Sequence, residues 1–284
     1  MANDMKSSKP IRSSQNMIEK IFAETQLREA GYVMPEHHCH PYYELFYVET
    51  GECRILIDNA MYDLHAGDFI LMPPQSLHYT RYLFGSCRRA AVFFRDSDIT
   101  EDVQQLLPHQ PDFFARTRIF QVPEAHREQI RGILIKMVAE EKIGDDYSAA
   151  LQQALLRELF LLCGRLCTFP EEAPAEIHTT DRQIVQAARF ISDHYAEPIS
   201  AADIASAAGF SPNYLSRKFR AAAGLGLHQY LLFIRMKHAA LELISTTDSV
   251  TEIAFRCGFS DSNYFKDAFK KFYGLTPSAY RKEF

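Results

Sequence analysis

The chain has 284 residues, which is room for about two domains of ordinary size. Hydrophobic residues make up 47% and charged residues 24%, the balance of a globular protein rather than a disordered one. No apolar run is long enough to cross a bilayer and the N-terminus lacks the apolar stretch of a secretory signal, so we expect a cytoplasmic protein without a membrane partner. Six scattered cysteines without a Cys-x-x-Cys pair predict reduced thiols.

The net charge of −5 is unevenly distributed along the chain. From Asp181 onward there are 13 basic and 10 acidic residues, a net of +3, whereas the remainder carries −8. This asymmetry is expected when one domain faces phosphates and the other does not. The excess is small, so charge alone favours nucleic-acid binding only weakly.

The N-terminal part reads as β structure. After a polar tail over 1–18, short runs of β-branched and aromatic residues alternate with glycine, asparagine and proline turn signals from 19 to 122. The clearest runs are Cys53–Asp58, Asp68–Met72 and Ala91–Phe94. Short strands at this spacing predict an all-β barrel or sandwich.

Residues 123–168 change to helical periodicity, in two stretches separated by a turn at Gly144. We expect an antiparallel helix pair. The second stretch is apolar on more than one face around Leu155–Leu162, which favours a homodimer interface; the alternative is that the pair only closes the barrel. Residues 169–180 hold two prolines and three glutamates, a composition typical of a linker.

The region 181–284 contains an internal repeat with an offset of 49 to 50 residues. Its shared positions include an Ile-Ala pair, a Gly-Phe-Ser turn, an Asn-Tyr pair, a phenylalanine and a glycine. Repetition of turn residues and aromatics together indicates duplicated units rather than chance. The first copy runs through Ile204-Ala205, Gly209-Phe210-Ser211, Asn213-Tyr214, Phe219 and Gly224, and the second through Ile253-Ala254, Gly258-Phe259-Ser260, Asn263-Tyr264, Phe269 and Gly274.

Each copy predicts a helix, a tight turn and a second helix. Ser200 with Asp203, and Ser249 with Glu252, have the spacing of capping boxes, and a glycine follows each short helix. This is the helix-turn-helix plan. The connecting segment Leu227–Ser245 has 19 residues, about 28 Å of helix. It could place two recognition helices in successive major grooves, which lie ~34 Å apart.

The outer face of the first long helix is polar and basic. Arginine and asparagine can read guanine and adenine, and lysine or arginine can neutralise phosphates. A plain helical bundle would explain the apolar residues of the repeat but not this face. The residues concerned are Asn213, Ser216, Arg217, Lys218 and Arg220.

These motifs resemble the AraC/XylS family of bacterial transcription regulators, over the whole stretch from Ile184 to Phe284. The resemblance implies double-stranded promoter DNA as a partner, RNA polymerase as a further partner if the protein is an activator, and a small-molecule effector such as a sugar or related metabolite. It also implies DNA contacts at the exposed positions of both recognition helices: Asn213, Ser216 and Arg217 in the first, and Asn263, Tyr264, Asp267 and Lys270 in the second.

Asp267 departs from the repeat, because it stands where the first copy has Arg217. A carboxylate repels phosphate but can accept a hydrogen bond from cytosine N4. Either the second unit reads cytosine at this point, or it binds weakly and mainly positions the protein. We favour weak binding.

The N-terminal half contains Gly31…His38-Cys39-His40…Glu44…Gly51, followed by Gly67…Pro73…His78. These two stretches resemble the two cupin motifs, so the overall fold class is expected to be a cupin-like β-barrel with a helix pair, followed by an all-α domain with two helix-turn-helix motifs. Gln75 and Tyr82 depart from those motifs. Side chains two apart on a strand share a face, so three histidines and a glutamate are expected to converge inside the barrel. They are His38, His40, Glu44 and His78.

Two kinds of site fit these residues. Three imidazoles and a carboxylate could bind a divalent metal, namely Mn, Fe, Ni or Zn. Alternatively they line a metal-free pocket for an organic effector, with Arg54 as a partner for an anionic or hydroxylated ligand or, equally, in a surface salt bridge. The leading hypothesis is therefore an effector-controlled regulator that is not an enzyme, and the alternative is a metal-dependent cupin enzyme with an appended DNA-binding domain.

Overall fold

The computed structural model describes residues 20–32, 40–58, 60–82, 85–107, 113–169 and 182–283. His38 of the predicted cluster, the polar tail and nearly all of the predicted linker lie outside these residues. Within them, no helix is both long and apolar enough to cross a membrane.

The N-terminal half folds into two facing antiparallel sheets, as the strand pattern predicts. One sheet has the order β1-β7-β2-β5-β8 and the other β4-β3-β6. The cupin-like barrel is therefore a sandwich of a large and a small sheet. Its strands are β1 (Phe22–Arg28), β2 (Tyr43–Thr50), β3 (Glu52–Ile57), β4 (Ala60–His65), β5 (Asp68–Met72), β6 (His78–Arg81), β7 (Cys87–Phe94) and β8 (Arg118–Gln121).

Alternation along β2 and β7 separates two cores. On β2, Leu45 and Tyr47 pack beneath helices, whereas Phe46 and Val48 face the small sheet. Because Val48 pairs with Arg89 across the ladder, the same two faces continue on β7. The face between the sheets forms the barrel interior, and it carries the polar side chains described below.

Three helices cover the outer face of the large sheet: α1 (Glu101–Leu106), α2 (Arg127–Ile143) and α3 (Ser148–Leu166). The last two form the predicted antiparallel pair, because Ser148 Oγ donates to Glu140 Oε1 and Gln152 Nε2 donates to the carbonyl of Met137. α2 ends at Gly144 in the left-handed region, at φ 63°.

The C-terminal half is helical and confirms the predicted repeat. Both short helices begin with complete capping boxes, Ser200 with Asp203 and Ser249 with Glu252. The connecting helix has the predicted bounds. The helices are α4 (Arg182–Asp193), α5 (Ala201–Ala207), α6 (Pro212–Ala223), α7 (Leu227–Ser245), α8 (Val250–Arg256), α9 (Ser262–Tyr273) and α10 (Pro277–Glu283).

The first helix-turn-helix unit, α5–α6, shares a core with the barrel. Leu56 and Met61 of the small sheet, with Leu77 just before β6, belong to one apolar cluster with residues of the C-terminal domain, among them Leu215 of α6 and Tyr230 of α7. The second unit, α8–α9, has a separate core built around Phe265 and Phe269. The barrel therefore contacts the first unit through its core, on the outer face of the small sheet.

Candidate functional site

Three of the four predicted cluster residues converge in the barrel interior. His40 precedes β2, Glu44 lies on β2, and His78 begins β6 in the opposite sheet. Glu44 Oε2 is 3.1 Å from His40 Nε2 and 3.2 Å from His78 Nε2. All three side chains are buried. The fourth residue, His38, lies outside the described residues.

Each imidazole places both of its ring nitrogens against an oxygen. The Nδ1 atoms of His40 and His78 lie 2.9 Å and 3.0 Å from the carbonyls of Tyr42 and Ser76, while the Nε2 atoms face Glu44. A neutral imidazole has only one N–H. Two arrangements give every ring nitrogen a suitable partner. Either both rings are protonated, or a divalent cation lies between the Nε2 atoms and the carboxylate.

Burial and charge act in opposite directions on this cluster. Burial lowers the pKa of His40 and outweighs the raising effect of Glu44. Burial also lowers the pKa of His78, but the charge of Glu44 and its hydrogen bond reverse this, so that the pKa is raised. Burial raises the pKa of Glu44, yet the charge of His78 and hydrogen bonds from both rings hold it well below its usual value. Both of the latter shifts are toward the ion-paired form, a Glu44 carboxylate beside a protonated His78.

The same three residues are a chemically suitable metal-ligand set. Two ligand atoms bonded at 2.0–2.2 Å and at right angles to each other are roughly 3 Å apart, close to the spacing seen here. Two histidines and one carboxylate on one side of an ion leave other positions open, as in non-haem iron sites. Backbone carbonyls hold both Nδ1 atoms, which is the usual outer-shell arrangement for a ligating histidine.

The prediction that Arg54 serves the effector is corrected by its position. On β3, Cys53, Ile55 and Ile57 face the barrel interior, so Arg54 lies on the opposite face. Its guanidinium donates to both carboxylate oxygens of Asp63, at 2.6 Å and 2.9 Å. The alternative given for this residue, a surface salt bridge, is the one that the structure has.

Sequence reasoning missed a buried arginine in the interior. Arg89 lies on β7, where it shares a face with Ala91 and Phe93. Its Nη2 atom is 2.8 Å from Glu24 Oε1, and it is the most buried arginine of the described chain. Period-2 alternation along β7 could have placed it inside, because Ala90, Val92 and Phe94 form the opposite, apolar face.

The predicted DNA-reading residues of the first unit lie on the free side of α6. Leu215 and Phe219 are fully buried, and the polar residues between them face outward. The Arg217 guanidinium lies 5.7 Å from the ring of Tyr214, and the Lys218 ammonium 5.4 Å from the same ring. Asn213, Ser216, Arg217 and Arg220 are exposed, and Lys218 is half-buried.

The second unit presents the corresponding face of α9. The helix begins at an N-cap, Asp261, whose carboxylate accepts from the backbone N–H groups of Asn263 and Tyr264. Phe265 and Phe269 again form the buried face. The predicted contacts are all exposed: Asn263, Tyr264, Asp267 and Lys270.

One segment of the barrel, Gln75–Tyr79, contacts both the buried cluster and the C-terminal domain. Gln75 donates its backbone N–H to the carbonyl of His40 and its side-chain amide to the Tyr280 hydroxyl at 3.3 Å. His78 points into the cluster, and Tyr79, on the other face of β6, lies against Gly224. A Cβ added at Gly224 would overlap the Tyr79 ring. We call this segment the coupling segment.

A second contact lies beside it, in the β3–β4 hairpin. The carboxylate of Asp58 accepts from Lys237 Nζ at 2.8 Å, and its backbone carbonyl accepts from the Tyr230 hydroxyl. Asp58 also exchanges hydrogen bonds with the backbone N–H and carbonyl of Leu77, in the coupling segment. Together the two contacts join the barrel to the C-terminal cap of α6, to α7 and to α10.

Comparison with known proteins agrees with this architecture. A family model described as an AraC-like ligand binding domain matches residues 25–160, and one described as a helix-turn-helix domain matches residues 204–283. The HTH-type transcriptional activator RhaS of Klebsiella pneumoniae (strain 342) is 27% identical over 268 residues, 93% of each chain. RhaS of Enterobacter sp. (strain 638) is 26% identical over 265 residues, 92% of each chain.

Among solved structures, ToxT from Vibrio cholerae O395 aligns over 93% of this chain and 98% of its own, with 13% identity and a TM-score of 0.37. The two matched family models and the fold define a DNA-binding transcription regulator with a ligand-binding domain. The chain belongs to the AraC/XylS family.

Proposed function

We propose that this regulator binds a small molecule, a carbohydrate or related metabolite, inside the barrel and thereby changes its occupancy of promoter DNA. The observation that carries the proposal is the coupling segment. Its alternating side chains contact the buried His40–Glu44–His78 cluster on one face and, on the other, Gly224, which caps the C-terminal end of the first recognition helix. A ligand that repositions His78 would also move Tyr79, because the two are consecutive residues of one strand.

On the DNA side, we propose that α6 reads bases and α9 mainly positions the protein. The exposed face of α6 carries Asn213 and Arg217, which have the donors and acceptors to read adenine and guanine. In α9 the position of Arg217 is taken by Asp267, while Lys270 remains available for a phosphate. One chain would then contact two unlike half-sites in successive major grooves, with α7 as the spacer.

On the effector side, we propose a pocket lined by His40, Glu44 and His78. A buried carboxylate flanked by two imidazoles offers acceptors and donors within one small volume, as hydroxyl groups of a carbohydrate require. RhaS, whose name describes a transcriptional activator, is similar over nearly the whole chain. Activation through RNA polymerase is therefore part of the proposal, and enzymatic turnover is not.

We further propose that the protein is a homodimer through the helix pair. Ile143, Tyr147 and Leu151 are exposed at the turn between α2 and α3, at 62%, 74% and 47% of their full accessible surface. Exposed apolar side chains grouped on one surface are typical of interaction sites. The apolar residues of α3 from Leu155 to Cys163 pack in the core over the large sheet, so the interface would centre on this turn.

The test uses the full chain and DNA selected from random sequence. Dissociation constants for the selected DNA would be measured by fluorescence anisotropy with and without each member of a carbohydrate panel. We expect one sugar to change the affinity by about 5- to 150-fold, the usual range of coupling between two sites. A protein that selects no DNA sequence, or whose DNA affinity no sugar changes, would contradict the proposal.

A metal-dependent cupin enzyme is the second candidate, favoured by the spacing of the three ligand atoms around Glu44. Elemental analysis of the purified protein for Mn, Fe, Ni and Zn, with Glu44→Gln as the control, separates the two. Stoichiometric metal that is lost in Glu44→Gln, together with turnover of a small substrate, supports the enzyme. Substoichiometric metal in a protein that still binds DNA supports the sensor.

A further inference from the structure

The barrel interior holds a second polar group besides the His40–Glu44–His78 cluster. Arg89 and Phe93 lie on the same face of β7, and the edge of the Phe93 ring contacts His40 with the ring centroids 5.6 Å apart. Phe93 is paired with Glu44 across the ladder, so Arg89 is four residues from the cluster, roughly 13 Å along the strand. Its guanidinium lies over Phe46, 5.4 Å from the ring, and Phe46 is two residues beyond Glu44.

Only one of the three guanidinium nitrogens of Arg89 is hydrogen-bonded to a residue that the structure describes. Nη2 lies 2.8 Å from Glu24 Oε1 and 3.0 Å from Gln26 Oε1, both on β1. Gln26 in turn donates to the second oxygen of Glu24, at 2.9 Å. Nε and Nη1 are buried and have no hydrogen-bond partner among the residues that the structure describes. Buried donors without an acceptor cost folding free energy unless a ligand or a water molecule accepts their hydrogen bonds.

We infer that Arg89 is the specificity-determining residue of the effector site, and that Nε and Nη1 donate to oxygen atoms of a neutral polyhydroxylated ligand. The inference deepens the proposed function and depends on it. The ligand runs past Phe46 along β2, with one end at Arg89 and the other at Glu44. Glu44 accepts from a ligand hydroxyl, and Arg89 donates to ligand oxygens.

The charge and geometry around Arg89 favour a neutral ligand over a carboxylate. Glu24 already balances the positive charge, so a second anion would enter a buried site without a counter-charge. Two-point binding of a carboxylate needs two parallel N–H groups on one edge of the guanidinium. The end edge and the side edge both include Nη2, which is occupied by Glu24 and Gln26. The remaining donors, one N–H on Nε and two on Nη1, match separate hydroxyl oxygens.

The experiment is a thermal-shift titration of the full chain with matched sugars. The panel contains the common aldopentoses, aldohexoses and 6-deoxyhexoses, with the uronic and aldonic acids that correspond to them. Variants are Arg89→Met, Arg89→Lys and Glu24→Gln, and mobility shift with selected DNA is run on every preparation. A ligand that binds only the folded barrel raises the melting temperature.

We expect a neutral sugar, and not its acid, to stabilise the natural protein. Arg89→Met weakens its apparent affinity at least tenfold, and Arg89→Lys, which keeps a charge but loses the planar donors, weakens it to an intermediate extent. Glu24→Gln retains sugar binding and gains a response to the acid, because the guanidinium charge is then unbalanced. DNA binding without ligand shows which of the preparations are folded.

Several outcomes overturn the inference. They are an unchanged sugar response in Arg89→Met and Arg89→Lys, and a natural protein stabilised by acids and not by neutral sugars. If Arg89→Met does not fold, Arg89→Lys and Glu24→Gln decide the result. A natural protein that binds no DNA, or that no panel member stabilises, would instead count against the proposed function, and the inference would fall with it, so the two failures are distinguishable.

Discussion

Substitution of Arg217 by alanine separates DNA reading from protein stability. Arg217 is exposed on α6, its guanidinium lies 5.7 Å from the ring of Tyr214, and no ion pair to it is present in the described chain. Truncation therefore removes no buried contact. We expect the free energy of unfolding to change by no more than about 0.5 kcal/mol, as for other exposed sites.

The expected effect on DNA is much larger. An arginine that donates to a guanine edge contributes about 1–3 kcal/mol of discrimination, which is roughly a 5- to 150-fold weaker dissociation constant at 25 °C. A pure phosphate contact would instead weaken binding to all sequences alike and reduce the salt dependence. The two roles are therefore distinguished by comparing specific with non-specific DNA.

The assay is fluorescence anisotropy with the selected site and a scrambled duplex, at several salt concentrations. Arg189→Ala is the matched control, because Arg189 is an exposed arginine on α4, outside both helix-turn-helix units. We expect Arg217→Ala to lose affinity for the selected site only, and Arg189→Ala to lose little. Equal losses on both duplexes, or no loss in Arg217→Ala, would refute base reading by this residue.

Three further predictions concern the barrel and its contacts. In metal-free protein with chelator, Glu44→Gln should lower the melting temperature more at pH 6 than at pH 9. Because the pKa of His78 is raised in the folded protein, protonation of His78 stabilises the fold below about pH 6.5, and this stabilisation is lost as the pH rises through the raised pKa. An equal loss at both pH values would contradict the prediction. Leu151→Glu should convert a dimer into a monomer in sedimentation velocity, whereas a sedimentation coefficient that does not change would place the interface elsewhere. Lys237→Met removes a partly exposed ion pair to Asp58, which contributes about 0.2–1 kcal/mol, so DNA affinity should change at most about fivefold. A larger change in anisotropy titrations would contradict this purely structural role of the ion pair.

The repeat made the C-terminal half highly predictable from sequence. Both capping boxes and the bounds of the connecting helix follow from local rules that depend on residues three or four apart, and the structure has them where the pattern predicts. Local periodicity is sufficient for such features because neighbouring residues alone determine them. Alternation likewise predicted that Glu44 faces the barrel interior, whereas the arrival of His78 from the opposite sheet was expected from the resemblance to the cupin motifs.

Contacts between residues far apart in the sequence were harder to predict. Arg54 and Arg89 are both arginines in strands, and only the register with neighbouring strands shows that Arg54 meets Asp63 outside and Arg89 meets Glu24 inside. The coupling segment could not be predicted either, because contact between Tyr79 and Gly224 depends on how two domains pack. No pattern within either domain encodes that contact.

The most direct test of coupling between the barrel and the DNA-binding domain is hydrogen–deuterium exchange of the full chain with and without the selected DNA. It requires no knowledge of the effector. We predict that DNA changes amide exchange in the coupling segment, Gln75–Tyr79, as well as in α6, and that Tyr79→Ala abolishes the change in the barrel whereas Tyr79→Phe preserves it. Exchange that changes only within the C-terminal helices, with the barrel unaffected in the natural protein, would contradict the account.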